Sequence, residues 1–307
     1  MRALLNAART GFSEIWSHKT RSALSFLAIA VGSVVFIDSF AAIVETQRRL
    51  REQERVSGVA RLKVMQNNGR AYSNPDEYVP NPTIRYEDVQ KLKERVPGLY
   101  MVSPEGRDWR NVFEYEGKRI VTSAHGVTPE WTKRDFVYAL RGRFLNQHDL
   151  DTRARVCVVV RKAPPAPASR FDKAQRKRWD YTSAFDVLVS HTDLLGKSVK
   201  LDNIAFTVVG VLEELPASRR PATVWDGGRE QQVLAPVTTL THAGILGEWQ
   251  SLDLNIDTGD ERTFDDSLRR IKDWLKARYG DEEAFIIENQ LEQIKDRIET
   301  SLKAALM

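Results

Sequence analysis

One apolar run near the start of the chain constrains its fold more than any other feature. Residues 23–44, ALSFLAIAVGSVVFIDSFAAIV, contain twelve Leu, Ile, Val and Phe residues and a single charge, Asp38. As a helix, a run of this length extends about 33 Å, enough to cross the hydrocarbon core of a bilayer. The apolar residues favour insertion by about 4 to 7 kcal/mol, whereas one aspartate costs at most about 3.5 kcal/mol. The run therefore predicts a transmembrane helix.

The sequence leaves two other interpretations of this run open. A core helix of a soluble protein is also apolar, although here charged residues stand on both sides without entering the run. A cleavable signal segment normally has an apolar stretch of about 7 to 15 residues and a small-x-small site, and this run is longer, with no convincing Ala-x-Ala.

Charge bias does not settle the orientation, because basic residues flank both ends: Arg9, Lys19 and Arg21 before the run, and Arg48, Arg49, Arg51 and Arg55 after it. Long domains cross membranes largely irrespective of their charge, so we expect the short N-terminus on the cytoplasmic side.

The residues before the run have the pattern of an amphipathic helix on the membrane surface. Phe12 and Trp16 belong to an apolar stripe at helical spacing. Such a stripe predicts an interfacial anchor with Trp16 at the headgroup level, although a helix packed on protein has the same pattern. Within the run, Ala28 and Gly32 form a small-xxx-small pair, which would let another transmembrane helix approach closely.

The rest of the chain has the composition of a folded, water-exposed body. Of the 307 residues, 42% are hydrophobic and 29% are charged, with a net charge of +4. This balance excludes a disordered chain and gives no general reason to expect nucleic acid as a partner. The basic segment 169–179 is more simply an exposed helix face after a proline-rich loop than a nucleic-acid patch. The single cysteine, Cys157, excludes an intramolecular disulfide.

Periodicity predicts alternating strands and helices in this body. The apolar helix should continue to Gly58, and further helices are expected over 84–98, over 264–279 and from Glu283 to Leu306. The last of these would place four residues on its apolar face, Leu291, Ile294, Ile298 and Leu302. Strands are expected at 61–65, 99–103 and 156–160, with hairpins at 111–125 and 198–212.

No motif for chemistry stands out. The five histidines, His18, His125, His148, His191 and His242, lack the H-x-x-x-H spacing that puts two imidazoles on one helix turn. His148 with Asp149 and Asp151, and His191 with Asp193, lie in polar stretches typical of turns and helix caps. Phosphate-binding glycine loops and serine nucleophile elbows are absent from the sequence. We therefore expect no catalytic residue, no metal and no cofactor.

Four passages in one order resemble the MacB/FtsX-type ABC transporter permeases. IRYEDVQKLKERVPGLYMVSPEGR is similar to the family's E-D, helix, P-G-V, strand, S-P passage, and HGVTPEW to its G-V-T-P-x-Y/W turn. RGRFLNQHD resembles the G-R-x-F/L-x-x-x-D turn, and LLGKSVKLDNIAFTVVGVLEE the family's G-K hairpin. WSHKTRSALSFLAIAVGSVVF resembles the first span. Together these passages cover roughly residues 10 to 250.

The resemblance implies an α+β fold, with one N-terminal transmembrane helix and a mixed strand and helix extracytoplasmic domain of the MacB-like periplasmic core type. By resemblance, the chain is a non-enzymatic permease-like subunit in the cell inner membrane. Its periplasmic body would relay motion driven by a separate cytoplasmic ABC ATPase for export or extraction of a substrate. The implied partners are that ATPase, the lipid bilayer and additional permease spans, with a homodimer left open. The alternative is a single-pass anchored binding or sensing protein without an ATPase.

The expected domain boundaries follow from these features. Residues 1–22 form the cytoplasmic interfacial helix, 23–44 the transmembrane helix, 45–285 the periplasmic core and 286–307 a stalk helix that leads towards a second span. The stalk is expected to pair with the helix that leaves the membrane after Val44. The family has three further spans, so the sequence ending at Met307 is expected to be truncated or completed by a partner chain.

Overall fold

The computed structural model describes residues 19–57, 60–68, 81–133, 138–163, 183–215, 232–247, 250–281, 283–289 and 300. The chain divides into two units, one made of Met1–Arg51 with Arg297–Met307 and the other of Glu52–Asp296.

A single helix, α1, runs without interruption from Lys19 to Ser57. It contains the whole apolar run and continues through the polar sequence after Val44, as the sequence predicts. Its length of 39 residues corresponds to about 58 Å at the usual helical rise.

The body contains the remaining elements that the structure describes. Its helices are α2 Tyr86–Arg95, α3 Gln147–Asp151, α4 Ala184–His191, α5 Val237–His242 and α6 Phe264–Tyr279, with short 3-10 helices at Pro129–Lys133 and Glu261–Thr263. Its strands are β1 Arg61–Gln66, β2 Met101–Tyr115, β3 Lys118–Val127, β4 Tyr138–Gly142, β5 Val156–Arg161, β6 Ser198–Leu201, β7 Ile204–Glu214, β8 Val233–Pro236, β9 Asp253–Asp257 and β10 Phe285–Asn289.

One part of the body is a split βαβ arrangement, here called the βαβ lobe. Two units, β1–α2–β2 and β9–α6–β10, form a sheet in the order β10-β1-β9-β2 with antiparallel neighbours. This is the ferredoxin-like order. Only the first residues of β2, Met101–Glu105, pair with β9. The segment that separates β2 from β9 in sequence forms the second part of the body.

That second part, here called the barrel lobe, is a sheet that closes on itself. Successive pairings run β2–β3–β8–β5–β7–β6 and return from β6 to β2. β4 adds to the far end of β7. Closure leaves no unpaired edge within the ring. Because β2 is 15 residues long, its start lies in the βαβ lobe and its remainder in the barrel lobe.

The helices of the βαβ lobe cover one face of its sheet. Val89 and Leu92 of α2 and Ile271 and Leu275 of α6 are buried on this face, in a cluster that also includes residues of the barrel lobe. Apolar residues at helical spacing on both helices account for this packing. The apolar core is therefore continuous from one lobe to the other.

Glycine permits two close approaches in the barrel lobe. Gly142 of β4 and Gly210 of β7 lie opposite each other, and Gly142 adopts a φ of 82° that a side chain would strain. A side chain on Gly210 would meet the carbonyl oxygen of Arg143. The register shift between β5 and β7 falls next to Gly210, at Val209.

The expected α+β class is confirmed, as are the strands at 61–65 and 156–160, both hairpins and the helices within 84–98 and 264–279. The helix expected from Glu283 is wrong at its start. Residues 285–289 form β10, which pairs with β1, so an edge position in the sheet overrides the local helical pattern. The remaining stalk residues, Leu291, Ile294, Ile298 and Leu302, lie outside the described residues.

Candidate functional site

The apolar run belongs to a helix whose own side chains are exposed. Residues 23–41 are the one helix of the described chain that is long and apolar enough to cross a membrane, and its side chains are exposed. Leu24 is 71% exposed and Phe36 is 72% exposed. Apolar side chains exposed around a whole helix are expected where lipid or other helices surround it. By length and composition, the run is thus suited to cross a membrane.

The small-residue pair of this helix has free space around it in the described structure. Ala28 is exposed, and a Cβ added to Gly32 would meet no atom within 4 Å. Asp38, near the end of the run, is also exposed. The expected interfacial anchors, Phe12 and Trp16, lie outside the described residues.

The histidine and aspartate groups singled out in the sequence serve the fold. Asp149 binds Arg143 through both carboxylate oxygens, at 2.6 and 3.0 Å, and accepts a backbone hydrogen bond from Asn146 at the start of α3. Burial raises the pKa of Asp149, and the hydrogen bonds from Arg143 and Asn146 outweigh burial, so the pKa lies below its ordinary value.

The second group, His191 with Asp193, also makes contacts within the fold. The ring Nδ1 of His191 lies 2.9 Å from the hydroxyl of Ser190, and Asp193 pairs with Arg141 at 2.9 Å. Within the described residues, no group of three or more His, Cys, Asp or Glu side chains could hold a metal ion. Cys157 is buried, and burial raises its pKa to about 12, so the thiol is not poised as a nucleophile.

A charged cluster that sequence reasoning missed lies where the two lobes meet. Asp253, the first residue of β9, accepts from Lys63 of β1 and from Arg107 of β2, each at 3.0 Å. Lys63 belongs to the βαβ lobe and Arg107 to the barrel lobe. One carboxylate thus joins the two lobes on the face of the sheet opposite α2 and α6.

The cluster continues through a buried histidine. Glu105 lies 3.6 Å from Arg107 and 3.0 Å from Nδ1 of His125, which is 1% exposed. The indole of Trp109 stands edge-on to the His125 ring at 5.9 Å, and the Arg107 guanidinium lies 5.9 Å from the same indole. These five residues, Lys63, Glu105, Arg107, His125 and Asp253, are here called the junction cluster.

An apolar contact lies on the other side of the same junction. Gly106 of β2 and Gly126 of β3 face each other in register. A Cβ on either glycine would come within 2.7 Å of Cδ1 of Leu246. Leu246 therefore fills a hollow that exists because both residues are glycine. The junction is held by packing on one face and by charge on the other.

An alternation of residue types carried a signal for this cluster. In β2, Ser103, Glu105 and Arg107 alternate with Val102, Pro104 and Gly106. A period of two with charges on one face predicts a strand whose second face is polar. The pairing that brings Asp253 to Arg107 spans 146 positions in sequence, and no local pattern shows it.

The junction cluster connects strands of the two lobes through ion pairs and hydrogen bonds. Its charged groups pair with one another, and among the described residues no group of three or more His, Cys, Asp or Glu side chains could hold a metal ion.

Comparison with known proteins identifies the relatives of this chain. Residues 22–271 match the model of a family described as the MacB-like periplasmic core domain. The macrolide export ATP-binding/permease protein MacB of Bdellovibrio bacteriovorus is 23% identical over 275 residues, which cover 88% of this chain and 38% of that protein. The pyoverdine export ATP-binding/permease protein PvdT of Pseudomonas savastanoi is 21% identical over 304 residues, or 99% of this chain and 41% of that protein. The chain thus spans about two fifths of the length of these relatives.

Two solved structures share the fold. The periplasmic region of MacB from Actinobacillus actinomycetemcomitans superposes with a TM-score of 0.55 at 18% identity, covering 81% of this chain and 97% of that one. The extracellular domain of the noncanonic ABC-type transporter YknZ from Gram-positive bacteria gives a TM-score of 0.51 at 16% identity, covering 75% of this chain and 100% of that one.

Proposed function

Because this chain belongs to the MacB-like periplasmic core domain family, we propose that it acts as a permease-type subunit of an ABC transporter. Its extracytoplasmic body would relay conformational change for the export or extraction of a substrate at the inner membrane. ATP hydrolysis would take place in a separate cytoplasmic ATPase, and this chain would make and break no covalent bonds.

The continuity of α1 is the observation that carries this proposal. The apolar run and the polar sequence after it belong to one helix, Lys19–Ser57, with no break between them. A continuous helix is stiff over several turns, so a tilt or shift of its membrane part moves its polar end as well. In the proposed relay, α1 is the element that receives the motion and passes it to the body.

The proposal includes an orientation and a set of partners. The N-terminus would be cytoplasmic and the body periplasmic, because long domains cross membranes largely irrespective of charge. Ala28 and Gly32 would contact a further permease span, since small residues let helices approach closely in lipid. The other partners proposed are the bilayer, the cytoplasmic ATPase and, in a homodimer, a second copy of this chain.

Labelling of single cysteines tests the orientation. In a Cys157→Ala background, Lys118→Cys places a thiol at an exposed position of the body, and Ala7→Cys places one before the membrane helix. We expect a membrane-impermeant maleimide to label the cysteine at position 118 in spheroplasts, and that at position 7 only after permeabilisation. The opposite labelling would overturn the orientation. Sequencing of the mature N-terminus detects removal of the helix as a signal segment.

Purification from native membranes tests the coupling to an ATPase. We expect the tagged full chain, extracted in mild detergent, to carry vanadate-sensitive ATP hydrolysis. Gly32→Leu should reduce this activity by removing the small surface, whereas Val34→Leu, on the opposite side of the helix, should leave it unchanged. If the chain purifies without any ATP hydrolysis from membranes that retain their transporters, the relay is wrong and a single-pass anchored binding protein becomes the better account.

A further inference from the structure

We propose that the junction cluster is a latch that fixes the angle between the βαβ lobe and the barrel lobe. This inference rests on the proposed relay for its purpose, because a relay must pass motion from one lobe to the other. It adds the place where the two lobes are locked and the residue that locks them, Asp253.

The chain connects the two lobes covalently at two places, and these connections alone do not fix the angle between the lobes. The chain passes from the βαβ lobe to the barrel lobe within β2, between Glu105 and Gly106, and returns just before Asp253. At the crossing, β2 pairs with β9 on the βαβ side and with β3 on the barrel side. A strand that changes partners at a glycine bends easily there, since glycine imposes the weakest conformational restriction.

Asp253 opposes such bending because it has a cationic partner in each lobe. Its Oδ2 lies 3.0 Å from Nζ of Lys63 and 3.0 Å from Nη2 of Arg107. Lys63 and Arg107 have side chains only 6% and 29% exposed. Rotation of one lobe would draw one cation away from the carboxylate that both share, and the buried Lys63 side chain would then lose a charged partner at a place that water reaches poorly.

The remaining members of the cluster support Arg107. Glu105 lies beside its guanidinium and binds His125 of β3. The side-chain amide of Gln250, which precedes β9, donates to the backbone carbonyl of Arg107. Glu105 thus contacts the guanidinium of Arg107, and Gln250 contacts its backbone. The cluster therefore connects β1, β9, β2 and β3 across the joint.

The apolar side of the joint restricts the movement that remains. Leu246 occupies the hollow formed by Gly106 and Gly126, and Leu252 packs against Gly106 as well. A side chain seated between two facing glycines resists sliding but permits a hinge-like rotation around it. In this arrangement the packed leucine acts as the pivot, and the junction cluster on the opposite face sets the angle.

Distance distributions between spin labels on the two lobes test the latch. In a Cys157→Ala background, Ala277→Cys labels the exposed side of α6 and Val187→Cys labels the exposed side of α4. Pulsed electron spin resonance on the full chain in nanodiscs, with no ATPase present, should give a narrow distribution. Asp253→Asn should broaden it, and backbone amides at the joint, including that of Leu252, should exchange about tenfold faster.

Asp193→Asn is the matched control, because it removes the ion pair with Arg141 inside the barrel lobe. We expect it to leave the distribution unchanged. Lys63→Gln and Arg107→Gln should each broaden the distribution, and combining either with Asp253→Asn should add little, because all three act on one contact.

A distribution for Asp253→Asn as narrow as that for Asp193→Asn would overturn the latch. If Asp253→Asn shows no cooperative thermal transition, the distance distribution of Arg107→Gln is measured instead. The Arg107 side chain is partly exposed and its replacement leaves Lys63 paired with Asp253, so this variant should fold. A distribution for Arg107→Gln as narrow as that for Asp193→Asn would then overturn the latch. These measurements need no ATPase, so the latch and the proposed transport function can fail separately.

Discussion

Tyr279 donates a hydrogen bond of 2.9 Å to Oδ2 of Asp88, which joins the end of α6 to the start of α2. Oδ1 of the same carboxylate accepts from Arg278 at 2.9 Å, and Oδ2 also accepts from the backbone N–H of Arg85 at 3.1 Å. Burial raises the pKa of the Tyr279 phenol, and its bond to Asp88 raises it further. One buried carboxylate thus connects the two helices of the βαβ lobe.

Asp88 should contribute to stability at neutral pH and lose this contribution in acid. Burial raises its pKa, but the hydrogen bonds from Arg85, Arg278 and Tyr279 outweigh burial and bring the pKa below its ordinary value of 3.8. A carboxylate with a lowered pKa in the folded state stabilises above its unfolded pKa and loses this effect as pH falls through its folded pKa. Asp88→Asn should therefore lower the free energy of unfolding at pH 7 by about 1 to 3 kcal/mol and weaken its dependence on pH below about 4.

Urea titrations of the full chain in detergent, followed by tryptophan fluorescence, measure this effect across pH. Asp266→Asn is the matched control, because Asp266 pairs with Arg269 and Arg270 on the exposed side of α6. We expect it to change stability by at most about 0.5 kcal/mol. Equal effects of the two substitutions would contradict the role given to Asp88.

Local patterns were sufficient for most elements, and long-range pairing explains what they missed. The helix at Phe264–Tyr279 agrees residue for residue with its apolar periodicity, and Glu116 and Gly117 form the turn between β2 and β3. β10 was mistaken for helix because a short apolar segment fits either period, and its strand conformation depends on β1, more than 200 positions away.

The functional features also divide into those that a local pattern shows and those that depend on long-range pairing. The apolar run was visible because lipid selects composition along a single helix. The junction cluster was not, since Lys63, Arg107 and Asp253 come together only through the order of strands in the sheet. The hollow at Gly106 and Gly126 could not be predicted from local sequence either, because the Leu246 side chain that fills it comes from a distant segment.

Gly210 should not tolerate a side chain. A Cβ there would meet the backbone carbonyl oxygen of Arg143, which cannot move aside as a side chain could. Gly210→Ala should destabilise the chain by about 3 kcal/mol. Gly247→Ala is the control, because nothing lies within 4 Å of a Cβ at that position. Thermal unfolding measures the stability of both variants. A Gly210→Ala variant as stable as Gly247→Ala would show that Gly210 lies farther from the carbonyl oxygen of Arg143 than described.

The thiol of Cys157 should be unreactive in the folded chain. Its position is buried, and burial raises its pKa to about 12, so little thiolate exists at about pH 8. We expect maleimide to modify it only after denaturation in guanidinium chloride. A surface cysteine introduced as Val187→Cys provides the positive control, because that position is 47% exposed. Rapid labelling of Cys157 under native conditions would contradict its burial.

The proposed stalk predicts a periodic pattern of crosslinks. Cysteine pairs between positions 47–55 and positions 294–302, in a Cys157→Ala background, should form disulfides where the two helices face each other. Productive positions should recur every three to four residues along each segment. Pairs moved by two residues serve as controls, since they point away from the partner. An absence of crosslinks at every position would rule out the pairing.

Membrane extraction of the full chain tests the central claim that the helix of residues 23–41 anchors this protein in a bilayer. After cell breakage, membranes are washed with high salt and then with alkaline carbonate, and the chain is followed by immunoblot. We predict that it stays with the membranes and is released by detergent alone. Two charges at the middle of the run, Leu27→Lys with Val34→Arg, should move it to the soluble fraction, because each costs about 2.5 to 3.5 kcal/mol of insertion. Recovery of the unaltered chain in the soluble fraction without detergent would contradict the account.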